Sequence, residues 1–157
     1  MNTELQLHRS SFIVHRSSFI VPMTCAFCTD ASSSGELVFE DAHAQVLLHN
    51  DWSVLGHTMI VARQHVENPS DLEDEAWTHI ARIWRRAERV LRDLTKSERV
   101  IAMKLGIQTP HLHVHLYPVS GRATRRQIFA AIDGKTRIER DPMFVEQLRE
   151  LLTAHLD

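Results

Sequence analysis

The sequence predicts an α+β domain: an antiparallel sheet of about five strands, one long helix packed on one face, and shorter helices added at the C-terminal end. Three observations predict it. Short runs rich in apolar and β-branched residues, each closed by turn residues, recur between Glu36 and Arg63 and again between Arg99 and Tyr117. Between these two groups, apolar residues fall at helical spacing from Leu72 to Leu94. Finally, residues 111–117 alternate strictly between Pro110 and Pro118, which is the period of a strand.

Taken in order, residues 8–21 are two copies of His-Arg-Ser-Ser-Phe-Ile-Val, too few and too serine-rich for a coiled coil. We expect residues 1–22 to be a disordered leader or a misassigned start, with Met23 the natural one. The folded domain then covers 23–157, with 119–157 as a C-terminal extension. Residues 31–35 read as a loop. Strands follow at Glu36–Glu40, His43–His49 and His57–Arg63, separated by turns at Asp41-Ala42 and Asn50-Asp51. Links this short imply an antiparallel meander.

Ser70 and Glu73 have the spacing of a capping box and open the long helix, which runs to about residue 95. Trp77 and Trp84, seven apart, widen its buried stripe. Arg85, Arg86, Arg89 and Arg92 lie among acids and read as a solvated face. A fourth strand spans Arg99 to Leu105. In the extension, Thr124 with Gln127 caps a short helix that stops at Asp133-Gly134, and Asp141-Pro142 opens a last one with Val145, Leu148, Leu152 and Leu156 on one face. Arg122, Arg125 and Arg126 are read as solvated.

Composition narrows the function. A net charge of -2 argues against a broad nucleic-acid surface, which would carry a basic excess. No run reaches the length of a membrane span, and no signal-peptide core is present, so a cytoplasmic protein is expected. The two cysteines, Cys25 and Cys28, offer no disulfide framework. A thioredoxin-like pair would need a preceding strand, which this position lacks. Buried thiols remain an alternative, but Cys-x-x-Cys in such a chain is best read as half of a metal site, with zinc first.

The richest stretch is the fifth strand. His111, His113 and His115 share one face, and Leu112, Val114 and Leu116 face the core. Same-face neighbours are about 6.6 Å apart, so the outer two imidazoles are separated by about 13 Å and cannot easily share one ion. Divided roles are expected. An ordinary polar strand face would be served equally by lysine, threonine or glutamate, whereas histidine is the side chain that titrates near neutrality.

This stretch resembles the signature of the histidine triad (HIT) superfamily, histidine alternating with apolar residues, filled here by His111, Leu112, His113, Val114, His115, Leu116 and Tyr117. The resemblance extends to Gly56-His57 with the apolar run ending at His65, and to Cys25-Ala26-Phe27-Cys28. It covers most of residues 23–118. The resemblance implies a HIT-like fold, a homodimer, and a nucleotide substrate such as a dinucleoside polyphosphate or a nucleoside phosphoramidate. Diadenosine polyphosphate hydrolases are the branch in view. Hydrolysis at the α-phosphorus is the first expectation; nucleotidyl transfer through the same intermediate, or a non-catalytic zinc- or nucleotide-binding module, are the alternatives.

Specific residues follow from it. His113 is implied as the nucleophile, and a neutral imidazole can attack phosphorus at pH 7. His115 is implied as a donor to phosphate oxygens or to the leaving group. By position alone, immediately before the triad strand, Gln108 and Thr109 are candidate phosphate contacts, and Phe27 and Asn50 are further candidate substrate contacts. Zinc-bearing relatives, among them galactose-1-phosphate uridylyltransferase-like enzymes, use a cysteine pair and two histidines, which implies Cys25, Cys28, His65 and His111 as ligands of a structural zinc ion. The chain departs from the pattern at two places. Ile101 stands where many members have asparagine, and His49 stands where many have an acid for the ribose hydroxyls, with Asn50 or Asp51 as the nearby substitute. No Walker-type loop or paired-carboxylate magnesium motif is present.

Overall fold

The computed structural model describes residues 25–154. The duplicated heptapeptide, the proposed start at Met23 and the side chain of Leu156 lie outside the described residues. The chain runs α1 (Ala26–Thr29), β1 (Gly35–Glu40), β2 (Ala44–His49), β3 (Thr58–Ala62), α2 (Asp74–Thr95), β4 (Arg99–Met103), β5 (His113–Val119), α3 (Arg125–Ile132) and α4 (Pro142–Thr153). The strands form one antiparallel sheet in the order β1-β2-β3-β5-β4. The α+β expectation therefore holds, as does the meander of the first three strands.

Register decides what each face carries. Leu47, Met59 and His115 lie in one row across β2, β3 and β5, and Val61 lies opposite His113. Because side chains alternate, the neighbours Val46, Leu48, Ile60, Val114 and Leu116 point to the other face and into the main core. Helices α2 and α4 cover that face. Ile80, Ile83, Ala87, Val90 and Leu91 of α2 join Phe144, Val145, Leu148 and Leu152 of α4 there. The C-terminal extension thus completes the core, and the histidine face is left open.

Four local expectations change. Ser70 and Glu73 do not form a capping box; Pro69–Asp71 is a separate 3-10 turn whose Asp71 carboxylate accepts from the Asn68 N–H, and α2 begins after Glu73. The fifth strand starts at His113 rather than His111, because Leu112 bonds its N–H to Val66 and its carbonyl to Ala62, at the end of β3. It also continues through Pro118 to Val119. That is tolerated because β3 begins at Thr58, opposite Leu116: beyond Leu116 only β4 flanks β5, so no partner awaits the missing N–H on the other side. Finally, Arg86 leaves the solvated face, since its Nη2 donates to the Leu151 carbonyl at 3.0 Å and ties α2 to α4.

Gly56 turns the chain into β3 with φ +79, and a Cβ there would stand 3.0 Å from both Leu91 Cδ2 and Phe144 Cζ. Only glycine fits that conformation without strain. His57 is delivered onto the open face by this turn, and its carbonyl accepts the His49 N–H at 2.9 Å.

Candidate active site and metal centre

The cysteine pair and two histidines from distant segments meet at one end of the open face. Cys25 precedes α1, Cys28 lies within it, His65 follows β3 and His111 precedes β5. Their ligand atoms all lie within 4.8 Å of one another, so the four can hold a metal ion. Cys25 Sγ is 3.3 Å and Cys28 Sγ 3.4 Å from His111 Nδ1; Cys28 Sγ is 3.2 Å from His65 Nδ1, and the two Nδ1 atoms are 3.2 Å apart. Zinc bonds of roughly 2.0–2.3 Å imply tetrahedral edges only slightly longer than these contacts. The protonation pattern fits as well. His111 Nε2 donates to the Ala62 carbonyl at 2.7 Å, which leaves Nδ1 as the lone-pair atom facing the thiols. Burial and the neighbouring Cys25 push the Cys28 thiol up to about 11, a cost that a divalent cation removes by binding the thiolate.

The other histidines are ordered by carbonyls that can only accept. His113 Nδ1 donates to the His111 carbonyl at 2.6 Å, and His57 Nδ1 donates to the Asp51 carbonyl at 2.9 Å. Burial lowers the affinity of His113 for a proton and pushes His57 down to about 3 and His115 down to about 4, so all three are neutral at pH 7. Neutral His57 accepts at Nε2, which fixes its 3.0 Å contact with His115 Nδ1 as a bond donated by His115. His113 and His115 are thereby left with bare Nε2 atoms. Neutral His115 thus presents a lone pair to the cleft, and it can donate from Nε2 once protonated.

A cleft of about 480 Å³ opens over this row. It is lined by His113 and His115, by Phe27, and by Gln108 and Thr109. The Phe27 ring lies 4.9 Å from that of His113. Asn50 is not among the lining residues; its side chain donates to the Ser33 carbonyl at 3.0 Å, because the turn points it away, and Asp51 lines the cleft instead. His65 and His111 do not line it either.

A HIT domain model matches residues 31–121, more than half of the chain. The chain belongs to the HIT family. Solved HIT structures share the fold at low identity. A histidine triad protein from Bradyrhizobium japonicum superposes with a TM-score of 0.64 at 19% identity, covering 78% of this chain and 91% of its own. A Zn-bound histidine triad family protein from Mycobacterium smegmatis gives 0.61 at 20%, covering 84% and 95%. A hypothetical histidine triad nucleotide-binding protein from Sulfolobus tokodaii gives 0.60 at 20%, covering 82% and 89%. No match was found among curated proteins.

Several residues of this HIT site were not singled out as site residues in the sequence. His57 was visible only as part of the Gly-His segment, and its place between Asp51 and His115 depends on the β2–β3 turn. Tyr117 stacks on His57 with centroids 4.2 Å apart. His49 stacks on the opposite partner of the turn, 4.2 Å from His57. Residues 131–134, beyond the matched domain, supply a wall of the cleft. They are held there by Thr136 Oγ1 bonding the Ser53 carbonyl at 2.7 Å and by Ile138 N–H bonding the Trp52 carbonyl at 2.9 Å. Gly134, at φ +65, lies so near Asp51 that a Cβ would be 3.0 Å from its carboxylate. No local pattern in the sequence links these two segments.

Proposed function

We propose that this HIT protein is a nucleotide hydrolase that cleaves at the α-phosphorus of dinucleoside polyphosphates or nucleoside phosphoramidates through a nucleotidyl-histidine intermediate. The observation that carries this reading is the bare Nε2 of His113 in the cleft, with its Nδ1–H held by the His111 carbonyl. Nε2 forms a bond to phosphorus, the bond to the leaving phosphate or amine breaks, and its electron pair departs with that group, a leaving amine taking a proton from solvent as it goes. Water then attacks phosphorus, gives its proton to His115 Nε2, and the N–P electron pair returns to His113. Gln108, Thr109 and Phe27 contact the substrate along the cleft.

Zinc is the ion we place at Cys25, Cys28, His65 and His111. The donor set and the Zn-bound description of the Mycobacterium smegmatis protein support it. Its chemistry there would be structural, because all four positions are filled by protein. A homodimer has a candidate surface on the outer side of α2, where Trp77, Ala81 and Trp84 line a hollow.

The test uses diadenosine tetraphosphate with wild-type protein and His113→Ala, with and without inorganic phosphate. AMP plus ATP from the wild type alone supports hydrolysis. ADP formed only with phosphate supports nucleotidyl transfer, and equal turnover by both proteins removes His113 as nucleophile.

A further inference from the structure

Two stacked imidazoles grip one residue of the β2–β3 turn from opposite sides. The Asp51 carbonyl accepts from His57 Nδ1, and the Asp51 N–H donates to His49 Nδ1, each at 2.9 Å. A backbone N–H can only donate, so His49 Nδ1 is the unprotonated nitrogen; its longer 3.3 Å approach to the Asp51 oxygen carries no proton. Neutral His49 therefore bears its hydrogen on Nε2. That atom makes no hydrogen bond among the described residues, and His49 lines the cleft beside His57, His113 and His115.

The consequence is an asymmetry among the histidines of the cleft. His113 and His115 present lone pairs, and His57 is spent at both nitrogens. His49 is the imidazole whose N–H is left over. A cleft that receives a phosphate needs donors toward its anionic oxygens, and lone pairs repel them. A carboxylate at this position could only accept, and would suit a hydroxyl. His49, His57 and His115 each bring a ring nitrogen within 4.8 Å of the others, but both nitrogens of His57 are already engaged, with the Asp51 carbonyl and with His115.

We infer that His49 is a substrate-contacting residue whose Nε2–H donates to an anionic phosphoryl oxygen in the cleft. The inference rests on the reading of the cleft as a nucleotide site and adds the donor that His113 and His115 do not supply. It also makes the site one that favours the phosphate over the sugar at this wall.

The experiment reads tautomer and affinity, neither of which needs turnover. Protein labelled with ¹⁵N at histidine is followed by long-range nitrogen–proton correlation NMR, alone and with AMP. His49 is expected as the Nε2–H tautomer, with its Nε2 resonance moving on AMP addition. In His49→Asn the amide oxygen can still accept the Asp51 N–H but the Nε2 donor is gone, so AMP binding is expected to weaken at least about tenfold and turnover on the order of a hundredfold. In His49→Gln the amide nitrogen reaches the Nε2 position and recovers most of the affinity, which a purely structural role would not predict. An Nδ1–H tautomer, or His49→Asn binding AMP as tightly as wild type, overturns the role of His49 while leaving the nucleotide reading intact. A wild-type protein that binds no AMP overturns both.

Discussion

The carbonyl of His111 accepts the Nδ1–H of His113 at 2.6 Å, while the ring of the same His111 stands between Cys25, Cys28 and His65 on one side and the Ala62 carbonyl on the other. One residue thus belongs to both the candidate metal group and the support of the proposed nucleophile. Whatever fixes the His111 ring also fixes the oxygen that sets the tautomer of His113.

Loss of an ion held by these four residues should therefore be felt in the proposed catalysis, although none of the four lines the cleft. Cys28→Ser is expected to lower metal content, measured by elemental analysis, and to reduce kcat roughly 10–100-fold with a smaller change in KM. A metal-free protein with undiminished kcat would separate the two sites and remove the coupling through His111.

The core half of the fold was legible because it is periodic. Leu112, Val114 and Leu116 alternate, and the α2 stripe recurs at helical spacing, so each could be placed without knowing its partner. The metal group was legible through a resemblance, since Cys28 and His111 are 83 residues apart and nothing local joins them. What escaped depends on turns. Whether Asn50 or Asp51 faces the cleft is set by the path from His49 to His57, and the wall at 131–134 depends on the Ile138 N–H and the Thr136 hydroxyl donating to the carbonyls of Trp52 and Ser53. The end of β5 escaped for a related reason: Pro118 breaks a strand only where a neighbour needs its N–H.

The extension is expected to be indispensable for folding. Phe144, Val145, Leu148 and Leu152 are all buried in the main core against α2 and the sheet. Truncation after Gly121, where the family match ends, exposes that surface, and each large side chain removed from such a core typically costs about 2–5 kcal/mol. The truncated chain should lack a cooperative thermal transition by circular dichroism. A folded truncated protein would show that α4 is an accessory.

Gly56→Ala should destabilise without touching the cleft directly. The residue holds φ +79, and the added Cβ meets Leu91 and Phe144 at 3.0 Å. Strain and overpacking together should cost roughly 1–3 kcal/mol, read as a lower urea midpoint at unchanged slope. Since the same turn delivers His57, kcat should fall as well. A variant as stable as wild type would mean that the turn has an alternative conformation open to alanine.

Acid should weaken the fold through the buried histidines, and the sign follows from their environment. Unfolded, each imidazole titrates near 6.5; folded, burial holds His57 down to about 3 and His115 down to about 4. Below 6.5 the unfolded chain takes up protons that the folded chain refuses, so unfolding is favoured progressively as the pH falls. Their contribution is fully present above about pH 6.5 and is lost as the pH falls from there to about 4 for His115 and about 3 for His57. Asp41 acts lower, because its carboxyl is held below its ordinary value of 3.8 by His79 and the turn N–H groups, and so it leaves the range above about pH 4 clear. The urea midpoint should therefore decline steadily from pH 6.5 to 4. His57→Asn removes one of the two strongly depressed groups, and although it starts less stable, its midpoint should decline less steeply over the same range. Parallel slopes for the two proteins would show that His57 is not held neutral in the folded state.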